Sequence, residues 1–326
     1  MEMIKLTVTI TCSLILQASN MEMLLQLVLG LLLLAANYAP AIAIPSPQCQ
    51  KQCGNVEILY PFGIGVNCSL SVDFNISCQV QEGISKPFNG DFEVLNISLS
   101  DSTMRVLNYM VTYCYNATSN DMEVGGYSKF DARDTPYRFS DVHNKFTVIG
   151  CNTLAYIFDS DNDTVLQSGC VSTCGKLSVA DGSFSGMGYC QTVIPRGMDY
   201  YSAAFDIAFN TSQISSFSRC SYAVLMEAAA FNFSTLYVNT TKFNDTYAGR
   251  APMVFNWAIR NETSCEVAKR NKTASYACLS GNSECVDSTN GAGYVCTCSK
   301  GYQGNPYLPD GCQGTNLTLV LRYYVL

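Results

Sequence analysis

Three kinds of side chain in this 326-residue chain could do chemistry: the cysteines, the single histidine, and a short basic run. Sixteen of the seventeen cysteines follow residue 43. They are Cys49, Cys53, Cys68, Cys78, Cys114, Cys151, Cys170, Cys174, Cys190 and Cys220, then Cys265, Cys278, Cys285, Cys296, Cys298 and Cys312 in close succession. An even number suits complete pairing in an oxidising compartment. Cys49 with Cys53, and Cys170 with Cys174, read as halves of bridges to distant partners, because cysteine-only zinc sites belong to reducing compartments. A Ser/His/Asp triad would have to run through His143, which sits among Asp141, Asn144 and Lys145 in what reads as a surface loop. A histidine zinc site needs more histidines than the chain has. Gly63-Ile-Gly65 lacks the third glycine of a kinase phosphate loop. Paired carboxylates for glycoside hydrolysis leave no local signature. No catalytic constellation is recognisable, so an enzyme is not the expectation, and no cofactor is expected.

The basic run is Lys129, Arg133, Arg138 and Lys145, interleaved with Asp131, Asp134 and Asp141. It is the best candidate for contacting an anionic ligand, and a solvated mixed-charge face is the competing reading. A net charge of −7 and a pI near 4.7 argue against nucleic acid, which needs concentrated basic charge.

The elements that must position these residues look like short strands. Apolar or alternating runs recur at 56–60, 92–99, 104–111, 145–149, 154–158, 202–209 and 222–226, separated by Gly, Pro, Asn and Asp. Residues 221–231 are ambiguous, since Leu-Met-Glu-Ala-Ala-Ala also favours helix; a strand is the reading adopted. Asp159-Ser-Asp161-Asn-Asp163-Thr164 resembles the start of a calcium loop, but Thr164 replaces its glycine and Cys170 its bidentate glutamate. A solvated hairpin turn is expected there.

Met23–Ala36 is a 14-residue apolar run followed by a small-residue site at Ala41-Ile-Ala43. It is shorter than the ~20 residues of a membrane span. Residues 1–43 are therefore expected to be a signal peptide, with Met21 or Met23 as alternative starts. Twelve Asn-x-Ser/Thr acceptors occur, at Asn67, Asn75, Asn96, Asn116, Asn162, Asn210, Asn232, Asn239, Asn244, Asn261, Asn271 and Asn316. Chance would give about four for this composition, so a secreted glycoprotein is expected.

The 48 residues from Cys265 to Cys312 hold too few large apolar side chains for a core of their own. Cys296-Thr-Cys298-Ser-Lys-Gly301-Tyr302, closed by Cys312, resembles the late half of an EGF-like module. That resemblance implies Cys265–Cys285, Cys278–Cys296 and Cys298–Cys312, one of fifteen pairings that six cysteines allow. Asp287 sits roughly where some such modules are hydroxylated, but Arg260–Ser264 lacks acidic calcium ligands, so no calcium is expected here.

Cys53-Gly-Asn-Val-Glu-Ile-Leu-Tyr60-Pro61-Phe62-Gly63-Ile-Gly65-Val-Asn-Cys68 resembles the opening of the galacturonan-binding domain of plant wall-associated receptor kinases. Cys151-Asn-Thr-Leu-Ala-Tyr, Gly169-Cys170-Val-Ser-Thr-Cys174, Gly188-Tyr-Cys190-Gln-Thr-Val-Ile-Pro195, Cys220-Ser-Tyr-Ala, Trp257-Ala-Ile259 and Gly301-Tyr-Gln-Gly-Asn305-Pro-Tyr-Leu308 continue it in order. Cysteines usual in the family are replaced by Phe184 and Tyr189, a paired loss that keeps parity even. After Cys312 the relatives carry a calcium-binding EGF module, a membrane span and a kinase. Here Leu317–Leu326, interrupted by Arg322, is too short to span a bilayer.

The fold class expected is mainly β: a disulfide-rich β-domain over 44–256, an EGF-like module over 257–312, and an unstructured or truncated tail over 313–326. The resemblance implies binding of pectic polysaccharide of the cell wall, with calcium only as a bridge between acidic surfaces. The alternative is a protein-interaction ectodomain or decoy that pairs with full-length receptor ectodomains, or a truncated receptor fragment.

Overall fold

The computed structural model describes residues 45–126, 129–159, 166–174, 185–271 and 276–315. All of them fall within one compact unit. The fold is mainly β and rich in disulfides, as the short alternating runs and cysteine spacing anticipate.

Two short strands, β1 (Gln52–Cys53) and β2 (Val56–Glu57), form a hairpin at the N-terminal end. The apolar run at 56–60 stops being a strand at Glu57, because the chain turns at the cis Tyr60–Pro61 peptide. The turn buries both neighbouring aromatics, Tyr60 and Phe62. Gly63 follows where a Cβ would strike the carbonyl of Cys68, so only glycine fits.

An antiparallel meander comes next: β3 (Ser77–Gln81), β4 (Ile84–Asn89), β5 (Phe92–Ser98) and β6 (Thr103–Tyr109). On β6 the period-two alternation turns Met104, Val106 and Asn108 inward. The hairpin of β7 (Val111–Asn116) and β8 (Asp121–Gly125) leads to β9 (Lys129–Asp131), β10 (Tyr137–Phe139) and β11 (Asn144–Ile149). β12 (Thr153–Phe158) pairs antiparallel with β13 (Leu166–Ser172), so the Asp-rich connection joins a hairpin; its residues 160–165 lie outside the described set.

β14 (Tyr189–Thr192), β15 (Tyr200–Phe205), β16 (Cys220–Glu227) and β17 (Arg250–Trp257) complete the larger sheets. Their orders are β10-β17-β6-β5-β4-β3, β14-β11-β16-β7-β8 and β13-β12-β15-β9. The run expected at 202–209 starts earlier and ends at Phe205, where the Asp206 carboxylate accepts from Ala208 N–H at 2.9 Å and turns the chain. The ambiguous segment is strand to Glu227 and only then one 3-10 turn, Ala228–Ala230. Residues 221–226 are all buried in the middle of a sheet, and that packing overrides an alanine-rich propensity for helix.

Two short helices, α1 (Leu236–Asn239) and α2 (Lys242–Tyr247), cover a second core of Tyr222, Val224, Met226, Phe233 and Phe243. Tyr189, which stands where relatives carry a cysteine, stacks on Phe233 at 4.6 Å between ring centroids. Phe184 lies outside the described residues.

Eight disulfides join the sixteen cysteines. Cys49 pairs with Cys68, Cys53 with Cys78, Cys114 with Cys220, Cys151 with Cys174 and Cys170 with Cys190. Cys265 pairs with Cys285, Cys278 with Cys296 and Cys298 with Cys312. The Cys114–Cys220 bridge spans 106 residues and pins β7 to β16 at directly opposed positions. A loop of that length carries the largest chain-entropy effect, ~4.7 kcal/mol in the simple loop-closure account.

The C-terminal part contains helix α3 (Cys265–Arg270), the hairpin β18 (Ser283–Asp287) with β19 (Tyr294–Cys298), and β20 (Tyr302–Gly304) with β21 (Cys312–Gly314). Ser264 caps α3, its hydroxyl accepting from Val267 N–H at 3.3 Å. Covalent staples are not the only thing holding this region. Tyr294, Cys296 and Tyr307 are buried in the same core as Phe62, Phe74 and Trp257, and the Tyr307 ring lies 5.8 Å from Trp257. A region too poor in apolar residues to bury its own core has borrowed one. Backbone bonds link Ile259 and Tyr294 in both directions, at 2.8 and 3.0 Å. Asn290 adds three: Nδ2 donates to Phe139 O at 2.9 Å and Asn256 Oδ1 at 3.0 Å, and Oδ1 accepts from Gly197 N–H at 2.7 Å. Arg260 donates to Pro136 O, Asn290 O and Ala292 O. Its guanidinium is lowered to about 10, first by burial and then by neighbouring Arg138.

Candidate functional site

A cleft of about 600 Å³ opens between the β3–β6 meander and the β9–β15 pair. Phe88, Phe92, Tyr109, Phe130 and Tyr201 supply aromatic walls, and Asn108, Lys129, Asp91 and Asp131 supply polar groups. That size and lining, mostly apolar with few polar atoms, is usual for a small-molecule or oligomer site. The walls are rigid because they are also core: Phe92 meets Phe130 edge-on at 4.5 Å, and Phe130 meets Phe139 at 5.7 Å. Tyr109, 42% exposed at the end of β6, offers an accessible ring at the mouth.

The floor is polar. Asn108 comes inward from β6 because it continues the Met104–Val106 row, and Tyr201 comes from β15 opposite Phe130. Asn108 Nδ2 donates to Tyr201 Oη at 3.2 Å and to Leu225 O at 2.8 Å. Burial pushes the Tyr201 hydroxyl up to about 12, with the Asn108 bond opposing the shift, so Tyr201 stays a neutral donor across the ordinary pH range.

Of the four basic residues singled out from the sequence, Lys129, Arg133 and Arg138 gather around Tyr200 and its neighbour Asp199, and Lys145 lies apart. Lys129 lines the cleft and also lies over the Tyr200 ring, 5.7 Å from its centroid. Arg133 lies over the other part of the same surroundings, 5.1 Å from that centroid, and forms an ion pair with Asp131. Arg138 is turned inward: it pairs with Asp199 at 3.2 Å and donates to the carbonyls of Ala132, Thr135 and Tyr137. Lys145 sits on β11 in a different sheet, opposite Met226. Lys86 and Arg105, also basic, are paired with Glu93 and Glu227 at 3.6 and 2.6 Å. His143 is exposed on the turn between β10 and β11. Among the described residues no group of three or more His, Cys, Asp or Glu is placed to hold a metal ion.

Of the glycosylation acceptors, Asn67, Asn75, Asn96, Asn232, Asn239, Asn261 and Asn271 are exposed, and Asn116, Asn210 and Asn244 are half-buried. Asn162 and Asn316 lie outside the described residues. Asp287 accepts from Cys265 N–H at 2.7 Å and so caps the start of α3. A second, smaller groove of about 400 Å³ lies where Lys51, Tyr60 and Phe62 meet Asn305, Leu308 and Pro309. It is mostly apolar, and Asn305 Nδ2 closes it by donating to Tyr60 O at 2.6 Å.

Sequence reasoning missed Asn108, Tyr109 and Tyr201. The available signal was a polar residue falling on the inward row of an alternating strand, which a core position does not need.

A family model described as wall-associated receptor kinase galacturonan-binding matches residues 49–108. Wall-associated receptor kinase 2 of Arabidopsis thaliana is 35% identical over 285 residues, covering 86% of this chain and 36% of that protein. Wall-associated receptor kinase 5 of the same plant is 36% identical over 285 residues, covering 84% and 35%. Wall-associated receptor kinase 4 is 37% identical over 287 residues, covering 83% and 35%. The chain thus spans about a third of the length of the curated relatives it matches. No solved structure matches it. No helix among the described residues is long and apolar enough to cross a membrane.

Proposed function

Because this chain belongs, through its galacturonan-binding domain, to the wall-associated receptor kinase family, we propose that it binds cell-wall pectin and that the 600 Å³ cleft takes a galacturonan segment. One observation carries the placement: Gln79, Phe88, Gly90, Asp91, Phe92 and Asn108 line the cleft and all fall inside the matched segment 49–108. The chemistry agrees. Apolar sugar faces pack on aromatic rings such as Tyr109, while hydroxyls and carboxylates need donors and acceptors such as Asn108, Tyr201, Lys129 and the two aspartates. We further infer secretion through residues 1–43 and N-glycosylation at the exposed acceptors. The role is binding, and the whole receptors' signalling is not assigned to this chain.

Charge shapes the mode of binding. Lys129 is accompanied by Asp91 and Asp131 at the cleft, and Arg133 pairs with Asp131. With Arg133 and Arg138 each paired to an aspartate and Asp91 and Asp131 at the cleft, attraction of a polyanion is weak, and shape and hydrogen bonding dominate. Retention of the purified glycoprotein on immobilised demethylated galacturonan tests the reading. Binding should weaken only a few-fold as salt shortens the Debye length to ~8 Å, and Lys129→Ala should weaken it further. If chelation abolishes binding, calcium bridges the acidic surfaces. No retention of correctly folded protein defeats the proposal.

A further inference from the structure

The floor of the cleft holds hydrogen-bonding capacity that the protein does not use. Asn108 is 4% exposed and Tyr201 1%. The two hydrogens of Asn108 Nδ2 go to Tyr201 Oη and Leu225 O. Among the described residues, nothing donates to Asn108 Oδ1. Tyr201 Oη accepts from Asn108, so its own proton points elsewhere, and no described residue accepts it. Both residues line the cleft. An acceptor, Asn108 Oδ1, and a donor, the Tyr201 hydroxyl, coupled side by side, are therefore offered at the floor of the cleft.

A free secondary hydroxyl fits that pair, since it gives one proton and accepts another. Its proton goes to Asn108 Oδ1, and its oxygen accepts from Tyr201 Oη–H. An O-acyl group at the same position has no proton to give and leaves Asn108 Oδ1 unpaired. Sites built to hydrogen-bond a ligand hydroxyl reject analogues lacking it strongly, because their own buried groups are left unsatisfied. We propose that Asn108 and Tyr201 are specificity-determining residues that read an unacylated secondary hydroxyl of a glycosyl unit, so that the chain discriminates against O-acetylated galacturonan. This rests on the reading of the cleft as the galacturonan site.

The test is calorimetric titration of the full chain with two sets of oligogalacturonides. They are matched in length and methyl-ester content, and they differ only in acetylation of the secondary hydroxyls. The unacetylated set should bind about tenfold tighter or more. Tyr201→Phe keeps the ring and removes only the hydroxyl. It should weaken the unacetylated set about tenfold, leave the acetylated set nearly unchanged and so narrow the discrimination, while the thermal midpoint falls by a few degrees because one Asn108 Nδ2 hydrogen loses its acceptor. Equal affinities for the two sets in the wild type, or a Tyr201→Phe loss shared equally by both, overturns the inference while the galacturonan reading stands. Binding of neither set by the wild type defeats the galacturonan reading itself. Should Tyr201→Phe fail to fold, the wild-type comparison alone decides.

Discussion

Tyr307 ties the C-terminal disulfide-stapled region to the β-sheets, and replacing it shows whether the two are one cooperative unit. Its ring is fully buried against Trp257, and its hydroxyl accepts from Cys296 N–H at 2.9 Å. Tyr307→Ala leaves a large cavity, ~3–5 kcal/mol for an aromatic. It also strands the Cys296 N–H, ~1–3 kcal/mol, so about 4 to 8 kcal/mol in all. Tyr307→Phe retains the packing and should lose only the second, smaller part. For a chain of this size each kcal/mol moves the melting point ~2–4 °C. The alanine variant should therefore melt roughly 8–32 °C lower and the phenylalanine variant a few degrees lower. Scanning calorimetry on the purified protein reads this directly. A single transition that moves as a whole is expected. Two separate transitions, with the sheets melting at the wild-type temperature, would show that the disulfides alone hold the C-terminal region and that the shared core contributes nothing.

Two further outcomes follow from the bridges and the buried phenols. Alkylation of unreduced, denatured protein should label no cysteine between residues 45 and 315, since all sixteen there are paired; a stoichiometric label on any of them contradicts the bridge set. Alkaline stability should fall between pH 10 and 12. Burial holds the Tyr201 proton to about 12, and it raises Tyr137 and Tyr307 in the same direction. Stability from a raised group is complete below the unfolded value near 10 and is lost as pH climbs through the folded value, ~3 kcal/mol for a two-unit shift. Arg260, lowered to about 10, works the other way over the same range but is one group against three. Fast pH jumps should show tyrosinate absorbance from these rings appearing only with unfolding; immediate ionisation of all twenty tyrosines would contradict their burial.

Much of the fold was legible because its signals are local. Period-two alternation on β5, β6 and β12 reports strands half-facing a core, β11 is buried almost throughout, and the structure places all four within a residue or two of the expected runs. What stayed hidden depends on distant partners. That β17 inserts beside β6, with Met253 opposite Val106, follows from no local pattern. Nor does the sharing of a core between Trp257 and Tyr307. The site was harder still. Basic residues were the obvious candidates for an acidic polysaccharide, yet Arg138 is consumed by Asp199 and backbone carbonyls, and Lys145 lies in another sheet. Charge in a sequence says nothing of what already neutralises it. Asn108 was visible only as an oddity, an amide on an inward row, and Tyr201 was one tyrosine among twenty.

The central claim is that galacturonan occupies the cleft between the meander and the β9–β15 pair. Hydrogen–deuterium exchange of the full chain, with and without a saturating unacetylated oligogalacturonide, tests it most directly. Slowed exchange should concentrate at residues 79–92, 108–109, 129–131 and 200–202, with α1, α2 and the β18–β19 hairpin unchanged. Protection confined to the Lys51–Tyr60–Asn305 groove, or to β11 around Lys145, with none at the cleft, would contradict the account.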